Sequence, residues 1–153
     1  MRKKKAFSFL AGFLALFLVL AGCSSETEKS NSDGKKVVKF MHLWPEGSSK
    51  QHHEIVQKIV ADYEKEHKDV KVELEVLSNE QYKDKIKVLS ASNELPDVGM
   101  TWSAGYLQPY VDGKKFAPLD DILEGDLKDS FVAGTSEAYQ IDGKTYGLPL
   151  ELN

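Results

Sequence analysis

The 153 residues include one cysteine, Cys23. No internal disulfide is available, so stability must come from a conventional apolar core. No second thiol exists to complete a metal site, and the four histidines, His42, His52, His53 and His67, contain no HxxxH pair. His52 and His53 are adjacent, and on a helix neighbours diverge by about 100°, too far to face one ion easily. The expectation is solvated surface histidines, with a metal site as the sharper and weaker alternative. A basic excess is also missing. Residues 1–22 hold four of the 20 Lys and Arg and none of the 24 Asp and Glu, which leaves 16 positive against 24 negative residues, a formal −8. That balance argues against nucleic acid or an anionic lipid surface as partner, since both reward basic patches. There is no internal repeat and no paired-carboxylate motif, and no apolar run reaches the roughly 20 residues of a comfortable membrane span.

What is present begins at the N-terminus. Arg2, Lys3, Lys4 and Lys5 precede an apolar run, Ala6 to Leu20, followed by the small residues Ala21 and Gly22. A basic start, an apolar core and a small-residue cleavage site make a secretory signal peptide. Leu20-Ala21-Gly22-Cys23 resembles the lipobox of bacterial lipoproteins. That resemblance implies cleavage before Cys23, diacylglycerol in thioether linkage on its sulfur, and anchoring of a monomer to the outer face of a bacterial cell membrane. Two acyl chains suffice where one does not, at about 0.8 kcal/mol per buried methylene. Ser24 to Gly34 (SSETEKSNSDG) is polar, without aromatics or periodicity. It reads as a flexible tether, and 23–35 as the segment between lipid and folded body.

The body opens on a short apolar run, Lys36 to Leu43, which predicts a strand. Trp44-Pro45-Glu46-Gly47-Ser48 breaks it into a loop. Ser48 or Ser49 can cap a helix running to about His67, with Ile55, Val56, Ile59, Val60 and Tyr63 on its apolar face. Val70, Val72, Leu74 and Val76 alternate with Lys71, Glu73 and Glu75, the period of a half-buried strand. Ser78 and Gln81 have capping-box spacing before a helix from about Asn79 to Ser92, with Tyr82, Ile86 and Leu89 inward. Val98 to Trp102 reads as a short strand. Strand, helix, strand, helix, strand predicts an α/β sheet with packed helices. Farther on, Gly105 to Val111 suits a short helix limited by Pro109, and Asp112-Gly113 a turn. Ala117 to Leu123 mixes loop and helix start. Asp126 to Tyr139 has a helical pattern with Leu127, Phe131 and Ala138 inward, weakened by Gly134. Asp142-Gly143 signals a hairpin.

In α/β sheets ligands sit beyond the carboxyl ends of the strands. Two loops qualify, Trp44–Ser49 and Trp102–Gly105, and they hold both tryptophans of the chain. An indole there can stack on the apolar face of a sugar while nearby polar groups take its hydroxyls.

The succession VVKFMHLWPEGS, VKVELEVL, LPDVGMTWSAGYLQPYVDGKKFAPLDD and IDGKTYGLPLELN resembles the N-terminal part of family 1 extracellular solute-binding proteins, the sugar receptors of ABC importers. The resemblance covers 36–153. It implies a periplasmic-binding-protein-like type II fold with two α/β lobes that close on ligand, of which this chain holds most of the first lobe, and a permease as partner. Hinge and second lobe are expected to be absent, which makes an N-terminal fragment the expectation. By resemblance Trp102 matches a sugar-contacting tryptophan. Ser103 stands at a position that is polar or charged in relatives. Trp44, Glu46, Gly47 and Ser48 form the first ligand-facing loop, and Glu151 with Asn153 lies near an acidic ligand contact. No cofactor and no enzymatic activity are expected. The enzyme alternative, a lipid-anchored glycosidase, pairs Glu46 with Glu151 and needs its carboxylates roughly 5–10 Å apart. A second alternative places an anion at the helix start beside Ser48 and Ser49.

Overall fold

A computed structural model describes residues 33–125, 127 and 130–151. The chain order is β1 (Lys36–His42), α1 (Glu46–Glu66), β2 (Val70–Val76), α2 (Asn79–Ser92) and β3 (Val98–Gly99). The three strands form one parallel sheet in the order β2-β1-β3. β1 pairs with β2 along its whole length, from Lys36 opposite Val70 to His42 opposite Val76. β3 meets β1 only at Phe40 and Met41.

Successive strand residues point to opposite faces, and this places the two helices. Met41 packs with Tyr82 and Ile86 of α2, all at most 3% exposed. His42 points the other way, with its ring 6.0 Å from that of His53 on α1. Helices therefore cover both faces of the sheet, α1 on one and α2 on the other. The β2 register agrees, because Val76 lies beside His42, whereas Glu75, beside Met41, pairs with Lys85 of α2. Leu43, Leu77, Leu89, Leu95, Met100 and Phe116 close the cluster on the α2 side. Truncating Ile86 to Ala at its centre would cost about 2–5 kcal/mol.

Local sequence accounts for the α2 boundaries. Gln81 Oε1 accepts the backbone N–H of Ser78 at 3.1 Å and its hydroxyl at 2.8 Å, which realises the reciprocal half of the predicted box. At the other end Asn93 turns left-handed (φ 59°), and Glu94 N–H returns to the Leu89 carbonyl at 2.9 Å.

Carboxylates take strand N–H groups at two places that no neighbouring strand reaches. Glu64 Oε1 accepts the Val72 N–H of β2 at 2.7 Å and pairs with Lys71 at 3.1 Å. Asp97 Oδ2 accepts the Lys39 N–H at 2.8 Å, at the part of β1 that β3 does not reach. Asp97 of the Pro96-Asp97-Val98 motif thus extends the cover of β1 beyond the short β3.

Beyond the sheet lie α3 (Gln108–Asp112, with Pro109 in its first turn), single turns of 3-10 helix at Ala104–Tyr106, Asp120–Ile122 and Glu137–Tyr139, and a hairpin of β4 (Gln140–Ile141) and β5 (Lys144–Thr145). Asp142 and Gly143 both have positive φ, 51° and 76°, the turn expected from Asp-Gly. Leu119 N–H bonds the Thr145 carbonyl at 2.7 Å, and the Asp120 carboxylate accepts the Thr145 N–H, so the FAPLD segment is tied to the hairpin.

Four expectations are corrected. The strand expected over 98–102 ends at Gly99, because Tyr82 takes both backbone groups of Met100. The helix expected over 126–139 is interrupted: residues 130–136 run through bends and turns, with Gly134 at φ 88°. Leu127 and Ala138, expected inward, are exposed. On α1 only Val56 is buried; Ile55, Ile59 and Tyr63 remain 49%, 61% and 43% exposed, since the sheet beneath the helix is three strands wide. The helical hydrogen bonding of α1 starts at Glu46, before the serines, but Ser49 is non-helical (φ −143°, ψ 44°), so the regular helix begins only after it.

Candidate ligand-binding site

Because β1 and β3 are parallel neighbours, the chain leaves both at the same end of the sheet. The loops after them carry Trp44 and Trp102. An open hollow of about 950 Å³ lies at that end, lined by Trp44, Trp102, Ser103 and Glu151 together with the apolar Phe116, Leu148 and Pro149. The segment Tyr146–Glu151 forms its far wall. It is set in place by the hairpin: Tyr146 N–H bonds the Tyr139 carbonyl at 3.0 Å, and buried Gly147 lies so close to the Tyr139 ring that a Cβ would stand 2.8 Å from Cδ1.

Trp102 is half-buried. Its ring meets the edge of Tyr82 at 5.8 Å and 79°, lies 5.6 Å from Tyr106, and has the Lys83 ammonium 5.5 Å from its centroid. The Tyr82 contact joins it to the core, since Tyr82 is 0% exposed and burial pushes its phenol up to about 12.

Trp44 is held by histidines. Its N–H donates to His42 Nδ1 at 3.3 Å, its carbonyl accepts from His53 Nδ1 at 3.2 Å, and its indole stacks on the His52 ring at 4.9 Å and 22°. His52 Nε2 in turn lies 3.1 Å from Glu151 Oε1. His42 is 0% exposed, which corrects the expectation of surface histidines. Desolvation first, and then the neighbouring His53, lowers its pKa below the ordinary 6.5. With Nδ1 accepting, its proton sits on Nε2, a buried atom that finds no partner among the described residues.

Of the residues expected at the site, Trp44, Trp102, Ser103 and Glu151 converge on the hollow. Glu46, Gly47 and Ser48 occupy the exposed first turn of α1, outside the lining. Asn153 and Cys23 lie outside the described residues. No described group of three His, Cys, Asp or Glu is arranged to hold a metal ion, and no described helix is long and apolar enough to cross a membrane. Sequence reasoning missed His52 as a site residue, because only the fold turns it onto Trp44 and Glu151. It also missed Leu148 and Pro149 as lining, although the GLP run after a hairpin signal marks a backbone that must leave the turn extended.

A three-stranded parallel sheet with helices on both faces and an open hollow beyond its strand ends defines a solute-binding lobe of the periplasmic-binding-protein type. The model of the bacterial extracellular solute-binding protein family matches residues 48–151, and the chain belongs to that family. It is 34% identical over 148 residues to the melibiose/raffinose/stachyose-binding protein MelE of Bacillus subtilis (strain 168), a match that covers 92% of this chain and 33% of the relative. Among solved structures it resembles one from work on xylan utilization by the thermophilic bacterium Caldanaerobius polysaccharolyticus, with 33% identity and a TM-score of 0.68, over 74% of this chain and 28% of that one. It also resembles a chitin oligosaccharide binding protein, with 25% identity and a TM-score of 0.70, over 75% and 28%. The chain thus spans about a third of the length of the curated relatives it matches.

Proposed function

We propose that the protein is the substrate-binding lipoprotein of an ABC importer, which captures a sugar, an oligosaccharide by preference, outside the cell and delivers it to the permease. One observation carries this reading: two half-buried indoles stand at the adjacent carboxyl ends of β1 and β3 and line one open hollow with a hydroxyl and a carboxylate. Stacked sugar rings need such apolar plates, with polar groups at their margins for the hydroxyls. In this reading Trp44 and Trp102 stack, and Ser103 and Glu151 take hydroxyls, with Glu46, Gly47, Ser48 and Asn153 completing the loops around the ligand. The relatives support sugar as the class, since their names specify melibiose, raffinose and stachyose, arabinooligosaccharides, and chitin oligosaccharide.

Residues 1–22 act as the signal peptide, 23–35 as the tether, and 36–153 as part of the first lobe. Ligand is held by closure of a second lobe over the hollow, a population shift driven by contacts to both lobes. The protein works as a monomer, anchored through acyl chains on Cys23. It catalyses no reaction on its cargo.

The test is a titration of the intact protein with melibiose, raffinose, stachyose, and xylo-, arabino- and chito-oligosaccharides, read by tryptophan fluorescence and thermal melting. Phosphate, zinc and amino acids serve as controls. Sugar at 100 times its Kd should add about 2.7 kcal/mol of stability. Silence to every sugar, with a response to zinc or phosphate, removes the carbohydrate reading. Anchoring is checked separately: Cys23→Ala should abolish incorporation of labelled palmitate, and equal labelling of the variant would refute the lipid assignment.

A further inference from the structure

Three of the four histidines converge on one residue, Trp44. His42 takes its N–H, His53 its carbonyl and His52 its indole face. His52 and His53 are neighbours on α1, and their divergence, which makes them a poor metal pair, suits them to grip two different parts of one residue. His52 also reaches outward. Its Nε2 stands 3.1 Å from Oε1 of Glu151, which lines the hollow although His52 does not. His52 is about half-exposed, as is Glu151, so the contact by itself adds little to folding stability.

We infer that His52 is a positioning residue of the ligand site, acting from behind the lining: it stacks one face of Trp44 so that the other is presented to ligand, and it braces Glu151. The inference rests on the sugar-binding reading above. An indole on a loop samples several rotamers when free, and binding then costs about 0.5–1.5 kcal/mol to immobilise it. His42 and His53 hold the backbone N–H and carbonyl of Trp44, which fixes the loop, and the His52 ring restricts the indole itself, so part of that freedom is lost before ligand arrives. The same contact orients Glu151, whose carboxylate would otherwise be a free side chain on an exposed segment. The groups that the structure places against the His52 ring are the Trp44 indole and the Glu151 carboxylate.

The experiment uses the intact protein and three variants, His52→Ala, His52→Phe and His52→Gln. Phe retains a stacking ring without the Glu151 contact, and Gln retains a hydrogen-bond donor without the ring. In a Trp102→Phe background, acrylamide quenching of the remaining tryptophan reads how well Trp44 is covered. Removing its partner ring with Ala or Gln should raise quenching about two-fold, and Phe should restore protection, because one of the two indole faces is uncovered or covered again. In the Trp102 protein, His52→Ala should weaken the best sugar of the panel about ten-fold, with melting temperature nearly unchanged, and Phe should recover part of the loss. Sugar affinity unaltered by His52→Ala would overturn the positioning role while leaving the sugar reading intact. Quenching unaltered by His52→Ala would overturn the stacking itself. Wild-type protein silent to every sugar would instead sink the sugar reading, and the role of His52 in binding with it.

Discussion

The phenol oxygen of Tyr82 stands 2.7 Å from both the backbone nitrogen and the backbone oxygen of Met100. One hydroxyl accepts from the N–H and donates to the carbonyl, so a side chain of α2 replaces the strand partner that β3 lacks at this point. The neighbouring Gly99 shows how close the approach is, since a Cβ there would meet the Tyr82 oxygen at 3.0 Å. The residue after next but one is Trp102, whose ring rests on the same tyrosine. The start of the loop that carries Trp102 is thus set from the core.

Tyr82→Phe keeps the ring and removes both hydrogen bonds, leaving the Met100 N–H and carbonyl without their partner. The expected loss is about 2–3 kcal/mol, read as a lower midpoint in urea with an unchanged slope. An unchanged midpoint would mean that water replaces the hydroxyl. The raised pKa carries a further consequence at alkaline pH. Its folded value, about 12, exceeds the ordinary 10, so stability from this group is complete below pH 10 and is lost as pH rises toward 12.

His42 sets an acid limit. Its pKa is lowered from 6.5 by burial, chiefly, and by His53. The unfolded chain therefore takes up the proton first, and stability from the neutral ring is complete above pH 6.5 and falls as pH drops below it. Protonation also puts a hydrogen on Nδ1, the atom that accepts the Trp44 N–H. Melting temperature and the tryptophan emission maximum should both shift below pH 6.5, and His42→Asn should flatten that part of the profile. A profile that is level between pH 7 and pH 5 would contradict the burial of this ring.

Glu64 offers a test of edge protection. Its carboxyl lies below the usual carboxylate range, first because it accepts the Val72 N–H and second because of Lys71. Glu64→Gln keeps an acceptor but removes the charge, and about 1 kcal/mol of stability should go with it at neutral pH. A depressed pKa stabilises above the ordinary 4.5 and loses that effect as pH falls, so the difference between wild type and variant should shrink as pH drops below 4.5. A constant difference across that range would show that the charge is not the cause.

Gly147→Ala tests the far wall of the hollow. The new methyl would sit 2.8 Å from the Tyr139 ring, closer than real side chains approach. Either the ring or the Leu148-Pro149 segment must move, at about 1–3 kcal/mol. Loss of sugar affinity together with stability is expected, and Tyr139→Ala in the same chain should restore part of the stability. No rescue would place the strain elsewhere.

Much of the framework is legible from local pattern. The alternation of Val70 to Val76, the Ser78–Gln81 box and the Asp142-Gly143 turn act over a few residues, and each forms as expected. Failures occur where a distant residue, a single glycine or the width of the packing surface decides. β3 stops early because Tyr82, 18 positions from Met100, takes its backbone groups. The helical pattern of 126–139 yields at Gly134, where a positive φ outweighs the apolar spacing. Ile55 and Ile59 have the right period for a buried face, but period says nothing about how wide a surface lies beneath.

The same division runs through the site. By itself the sequence determined that two tryptophans follow strand-like runs and that polar residues flank them, because strand period and loop breakers are local properties. Only the tertiary structure decided that β1 and β3 are neighbours, that their carboxyl ends open on one hollow, and that His42, His52 and His53 close around Trp44. Strand order is settled by which apolar faces bury one another across the sheet. That energy belongs to residues far apart in the chain, and no local window of the sequence contains it.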